Sequence, residues 1–272
     1  MMRNIILLCA LSMAPCLLHA DQMNVLGTAN GFSVLGASTV TNTGPTVLNG
    51  DLGLYPGTSI TGFSSSVPPG PGIVNGTVHD TDGVAMTAQA DALSGYNVLK
   101  GLPSTHDLSG QNLGGLTLTP GVYTYGSASP AALLSGTDST LTLNFEGLSN
   151  QSFVFQIGST LTTASNSSVV LENLGSNDSV YWALGSSATL GTDTSFIGYL
   201  IADQSITMTT GATIECGSAI ALNAAVTLDT NTINACPAGS TTSAAPEPSS
   251  LMLLGSGLLG MAGITRRRFG RK

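Results

Sequence analysis

Four short segments in the second half of the chain share one pattern. They are Thr160-Leu161-Thr162-Thr163, Thr189-Leu190-Gly191-Thr192, Thr207-Met208-Thr209-Thr210 and Thr227-Leu228-Asp229-Thr230. In each, an apolar residue follows a threonine and a second threonine stands two positions after the apolar one. The apolar residues are 29, 18 and 20 positions apart. A period near 18–20 is the signature of a coiled repeat whose strands stack side by side. With the apolar residues inward, the threonines point out, about 4.8 Å apart between coils and about 6.7 Å apart along a strand. β-Branching holds each methyl and hydroxyl stiff. Such an array makes no covalent bond; it presents hydroxyls and methyls at a fixed pitch.

Residues for covalent chemistry are few. Asp193, Asp203, Glu215 and Asp229 are acids near these segments, but a hydrolase needs paired carboxylates, and isolated acids are normally solvated surface. Lyases built on stacked coils use an Arg or Lys base, whereas between Asp21 and Ala245 the only base is Lys100, at a helix end. His79 and His106 lack metal-ligand spacing, and no Asp-rich calcium loop occurs. No enzyme activity, catalytic residue, metal or cofactor is expected. Trp182, in Val180-Tyr181-Trp182-Ala183-Leu184, reads as core. Cys216 and Cys236 are 20 apart, the Met208–Leu228 step, which places them at equivalent positions on adjacent coils and suits a disulfide. Two free buried thiols are the alternative.

The elements that must position these residues follow from composition. Of 272 residues only 8% are charged, against 42% hydrophobic and 34 glycines. Between Asp21 and Ala245, fourteen acids face the single base Lys100, a net of −13. That excludes nucleic acid as a partner, because phosphate binding needs several Lys or Arg. Short β-branched or apolar stretches alternate with Gly, Asn, Ser and Asp, an all-β reading. One segment differs: spacings of three and four place Ala85, Ala88, Ala92, Tyr96 and Leu99 on one face, so a helix is expected over about 81–99. Asp80 and Asp82 favour its start; Gly101 and Pro103 end it.

The two ends read as addresses. Residues 1–20 carry Arg3, an apolar run from Ile5 to Leu18, and Ala20 at the cut, which is a secretory signal peptide. Cys9 and Cys16 leave with it. The residues before Cys16 fit a lipoprotein signal poorly. A Ser/Thr/Ala/Pro linker covers 238–245. Then come Pro246-Glu247-Pro248, an apolar run from Leu251 to Ile264, and the cluster Arg266-Arg267-Arg268. The order resembles the PEP-CTERM sorting signal of Gram-negative bacteria, over residues 246–272. The resemblance implies export, transient membrane anchoring by this segment, removal by an exosortase-type enzyme, and release to the cell surface or outside. A plain C-terminal anchor is the alternative.

Residues 21–237 are the domain in between, and they resemble a known family. The matching blocks are Val40-Thr41-Asn42-Thr43-Gly44-Pro45-Thr46, Asn49-Gly50-Asp51-Leu52-Gly53, Pro56-Gly57-Thr58, Leu113 through Tyr123, Phe153 through Leu161 and Val226 through Thr232. The sequence is similar to the microbial ice-binding (antifreeze) proteins with a discontinuous β-solenoid domain. The resemblance implies an all-β fold with one long helix: a discontinuous right-handed β-solenoid of triangular cross-section, with the α-helix packed alongside. N-terminal strands would complete coils begun by C-terminal ones. It also implies adsorption to an ice crystal surface through a flat Thr-rich face, which inhibits growth and recrystallisation. A monomer is expected.

Some family members carry on that face a short repeat of Thr, Ala or Gly, any residue, then Thr or Asn. Thr163-Ala164-Ser165-Asn166 and Thr210-Gly211-Ala212-Thr213 fit it. Thr192-Asp193-Thr194-Ser195 and Thr230-Asn231-Thr232-Ile233 fit in part, with Asp193 departing most. The expected site is therefore Thr162, Thr163, Asn166, Thr192, Thr194, Thr209, Thr210, Thr213, Thr230 and Thr232. A rival reading is a secreted surface or biofilm matrix adhesin without ice affinity.

Overall fold

The computed structural model describes residues 25–126, 131–133 and 139–236. The expected signal peptide, linker and sorting segment lie outside the described residues. The chain up to Cys236 forms a compact unit of its own.

The fold is mostly β with one helix, and all strand pairs are parallel. The first strands are β1 (Phe32–Gly36), β2 (Thr39–Asn42), β3 (Val47–Asn49), β4 (Asp51–Leu54), β5 (Ser59–Thr61), β6 (Ile73–Val74) and β7 (Val78–Asp80). Helix α1 (Gly83–Gly101) follows. The middle holds β8 (His106–Asp107), β9 (Thr117–Leu118), β10 (Gly121–Tyr125), β11 (Ala131–Leu133), β12 (Thr140–Asn144), β13 (Ser152–Ile157), β14 (Leu161–Thr163) and β15 (Ser168–Glu172). The last strands are β16 (Ser179–Leu184), β17 (Ala188–Leu190), β18 (Ser195–Ala202), β19 (Ile206–Met208), β20 (Thr213–Ala221), β21 (Val226–Leu228) and β22 (Thr232–Asn234).

Pairing sorts the strands into three tracks. The first is a separate seven-stranded sheet, β11-β14-β17-β19-β21-β2-β5. The second runs through β9, β12, β15, the first halves of β18 and β20, then β22, β3 and β6. The third runs through β8, β10, β13, β16, the second halves of β18 and β20, then β1, β4 and β7. Strands β18 and β20 are long enough to turn a corner and so join the second and third tracks into one sheet. Cys216 is an extra residue at that corner of β20, with φ +48°.

The layer order is not the chain order. Strands β22, β1 and β2 all lie between the layer of β20 and β21 and the layer of β3, β4 and β5. A layer begun by the last strand is thus completed by the first two. A disulfide joins Cys236, just beyond β22, to Cys216.

The core lies between the tracks. Leu161, Leu190, Met208 and Leu228 are buried in it, as the repeat requires. Phe155 stacks on Trp182 with ring centroids 3.9 Å apart, and the Trp182 indole N–H donates to the Ile197 carbonyl at 3.0 Å. Trp182 is therefore a core residue. A second cluster lies on the outside of the third track, where α1 covers Tyr181, Tyr199, Ile201, Ile220 and Leu35. The helix buries Ala85, Ala88, Ala92, Gly95 and Leu99, small residues that let its backbone approach a flat sheet. It starts two residues later than the sequence suggests. The cause is the Asp82 carboxylate, which accepts from the Val84 and Ala85 N–H groups and so becomes the cap. Gln89 bridges the Gly36 and Ala221 carbonyls, and Tyr96 donates to the Leu184 carbonyl. The third track therefore has no open face along the helix.

Candidate functional site

The seven-stranded sheet carries a single row of threonines. Register pairs Thr162 with Thr189, Thr189 with Thr207, Thr207 with Thr227, Thr227 with Thr41, and Thr41 with Thr61. Six consecutive strands therefore present Thr at one position, with a pitch of about 4.8 Å. On each side of this row in the strand the side chain points inward: Leu161, Ala188, Ile206, Val226 and Val40 on one side, Leu190, Met208 and Leu228 on the other, all buried. Burial of these side chains at roughly 1.5–3 kcal/mol each fixes which face is out. The row is flanked by Ser187, Ser205 and Thr39 on one side, and by Thr209, Asp229 and Thr43 on the other. Strands β14, β17, β19, β21, β2 and β5 contain no charged residue.

Among the described residues, none of Thr41, Thr61, Thr162, Thr189, Thr207 and Thr227 makes a side-chain hydrogen bond to another protein group. Their hydrogen-bonding capacity is left for whatever lies against the sheet.

Of the site residues expected from sequence, only Thr162 lies in this row. Thr163 and Thr194 are 3% and 1% exposed and cannot touch a surface. Their hydroxyls bond each other at 2.8 Å, and the Gly191 N–H donates to the Thr163 hydroxyl at 2.9 Å. Alternation explains Thr163, since Leu161 in and Thr162 out put Thr163 in. Thr194 lies where the chain turns from the first track to the second, and its hydroxyl lines the inside of that corner. Asn166 and Asp193 are the turn residues there, with φ +60° and +55°, a region that Asn and Asp tolerate better than other L-residues. Asp193 thus departs from the short repeat for a backbone reason.

Thr192, Thr209, Thr210 and Thr230 sit along the same corner, beside the row. Thr209 is half-buried and donates to the Leu190 carbonyl at 2.9 Å. Thr210 donates to the Asp229 carboxylate. That bond, then the one from Thr230, holds the Asp229 carboxyl below the usual carboxylate range. Thr213 and Thr232 belong to the second track, around the corner.

The row also holds Thr189, Thr207 and Thr227, which the sequence repeat contains but the expected site omits, and Thr41 and Thr61, which belong to neither. The signal was the alternation Val40-Thr41-Asn42 and Ile60-Thr61-Gly62, which repeats the apolar-Thr step of the later coils.

The second track is also open to solvent but is not uniform. One row reads Thr140, Ser168, Ser195, Thr213 and Thr232, then Val47 and Ile73. The next carries an amide ladder. Asn75 donates to Asn49 at 2.6 Å, Asn49 to Asn234, and Asn234 to the Glu215 carboxylate at 2.7 Å. Among the described residues no group of His, Cys, Asp and Glu is arranged to hold a metal ion.

A sequence profile of the Ice-binding-like family matches residues 34–234. The chain belongs to that family. An ice-binding protein of Nostoc sp. (strain HG1) is 50% identical over 253 residues, covering 92% of this chain and 89% of that one. An ice-binding protein of Colwellia sp. is 30% identical over 222 residues, covering 77% and 83%. Among solved structures, an ice-binding protein from an Antarctic biological consortium superposes with a TM-score of 0.69 at 46% identity, covering 76% of this chain and 89% of that one. One from the Antarctic ascomycete Antarctomyces psychrotrophicus gives 0.69 at 39% identity, covering 78% and 98%. Residues 244–268 match the PEP-CTERM protein-sorting motif. The family is named for binding ice and is not an enzyme family, in keeping with a face of threonines rather than a cleft of acids.

Proposed function

We propose that this protein adsorbs to ice through the seven-stranded sheet and slows ice growth and recrystallisation. The observation that carries the reading is the in-register row of six threonines with unpartnered hydroxyls, on strands free of charge. Rigid hydroxyls and methyls at one pitch order adjacent water into a layer that merges with the crystal. Uncharged strands suit this, because charged side chains hold hydration shells that ice cannot accommodate. An adsorbed protein forces the growing front to curve, which lowers the local freezing point. The interaction surface is the row itself, Thr41, Thr61, Thr162, Thr189, Thr207 and Thr227, with Thr192, Thr209, Thr210 and Thr230 along its corner edge.

The reading extends to form and location. The three tracks wind as a right-handed solenoid of triangular section. The protein acts as a monomer, without a catalytic step. Residues 1–20 direct export in a Gram-negative host. The C-terminal segment anchors the chain transiently in the membrane until an exosortase-type enzyme removes it, and the domain then works at the cell surface or outside.

The test is thermal hysteresis and recrystallisation inhibition on purified residues 21–245. Activity above a non-binding control is expected. A folded protein that leaves ice growth unchanged would overturn the proposal and put the matrix-adhesin reading first.

A further inference from the structure

Two of the six threonines in the row come from the N-terminal strands β2 and β5; β5 stacks on β2, and β2 pairs with β21, where Thr41 faces Thr227 from the far end of the domain sequence. These strands are short, and their outward side chains do not fix their register. Thr39, Thr41 and Thr43 alternate in the same phase, and so do Ser59 and Thr61. A slip of two residues would keep hydroxyls outward, and only a slip of one is opposed by the pattern. Something else must set the register.

A buried polar relay crosses this seam just inside the row. The Asn231 amide donates to the Thr209 carbonyl at 2.9 Å and the Ala212 carbonyl at 3.0 Å, in the layer on its C-terminal side. The backbone N–H of Asn231 donates to the Thr46 hydroxyl at 3.0 Å. That hydroxyl donates to Asn42 Oδ1 at 2.6 Å. Asn42 Nδ2 in turn donates to the Gly44 carbonyl at 2.6 Å and to the Gly62 carbonyl at 2.8 Å. Asn42, Thr46 and Asn231 are buried. Asn42 directly follows Thr41, and Gly62 directly follows Thr61. Gly62 has φ +83°, and a Cβ there would strike the Asn42 carbonyl. The bonds from Asn231 to Thr46 and from Asn42 to Gly62 therefore tie the layer of Thr41 to the layers on both sides of it.

We infer that Asn42, Thr46 and Asn231 are positioning residues that hold β2 and β5 in the one register that continues the threonine row across the seam. The relay is specific because a two-residue slip of β2 would put Val40 in the place of Asn42. The buried Thr46 hydroxyl would then lose its acceptor, and the half-buried Gly62 carbonyl would keep only the Gly72 N–H. A single buried polar residue sets register in coiled coils by the same physics. The inference rests on the ice-face reading for its activity consequence, but not for its structural one.

The experiment compares Thr46→Val, which keeps the shape and loses the hydroxyl, with Thr46→Ser, which keeps the hydroxyl, in residues 21–245. Thermal hysteresis, read close to 0 °C, is set beside melting temperature and amide exchange of β2. Thr46→Val is expected to stay folded, to exchange the β2 amides faster, and to lose about half or more of its hysteresis, the loss also expected of a Thr41→Tyr/Thr61→Tyr variant. Thr46→Ser is expected to retain it. If Thr46→Val does not fold, Asn42→Ser serves in its place with the same expectations. A purely structural residue would lower the melting temperature and leave hysteresis in the cold unchanged; that outcome, with unchanged β2 exchange, would overturn the inference. An inactive parent would count against the ice reading alone, while β2 exchange in Thr46→Val would still decide the register claim.

Discussion

The first and second tracks share a strand spacing and both face solvent, yet only one repeats its side chains. The first shows Thr in six consecutive strands, with hydroxyls that bond no protein group among the described residues. The second passes from Thr and Ser to Val47 and Ile73, and its amides spend their donors on one another, ending on Glu215. An amide ladder knits layers together and leaves little for an external partner. A threonine row does the reverse. Stacked coils therefore provide a lattice pitch on every track, and what turns one into a recognition face is a uniform side chain with unspent hydrogen bonds.

The sharpest way to break this comparison is a bulky residue on each sheet. Thr207→Tyr, at the middle of the row, is expected to cut thermal hysteresis about tenfold or more, as for a residue at the centre of an interface. Ser195→Tyr, exposed on the second track, should change it less than about twofold. Equal losses from two folded variants would remove the distinction between the faces.

Next in size is the cross-link. Cys216→Ser or Cys236→Ser is expected to cost about 2–4 kcal/mol in denaturant unfolding. Because the bridge lies outside the threonine row, hysteresis in the cold should persist. Cutting the amide ladder is milder: Asn49→Ala should lower stability by about 0.5–1.5 kcal/mol and leave ice growth inhibition unchanged. A loss of inhibition there would mean that the second track takes part in binding.

The smallest effect concerns pH and lies at the helix that covers the third track. The Thr28 backbone N–H and hydroxyl bond the Asp91 carboxylate and hold its pKa below the usual carboxylate value. A carboxyl with a lowered folded pKa contributes stability above about pH 4, and that stability is lost as pH falls through the folded value. A modest fall in melting temperature is expected below about pH 4, and Asp91→Asn should flatten that part of the profile.

Much of the fold is legible in the sequence. The inward apolar residues, the helix and the core position of Trp182 follow from periodicity. The register of the first repeat does not, because Leu161 pairs with Ala188 and not with Leu190. A small inward alanine is invisible to a pattern keyed on large apolar residues. Thr194, expected to point outward, is buried for a related reason: strict alternation ends at the corner, where Asn166 and Asp193 turn the backbone and Thr194 swings inside. Thr41 and Thr61 carry the same apolar-Thr step, but their place in the row exists only after the first strands have stacked on the last.

The central claim is that the threonine row itself meets ice, and partitioning into a slowly growing ice crystal tests it most directly. The parent domain and Ser195→Asp are predicted to enter the ice, while Thr207→Asp, with one charge in the row, is predicted to stay in the liquid. Entry of folded Thr207→Asp to the same extent as the parent would contradict the account.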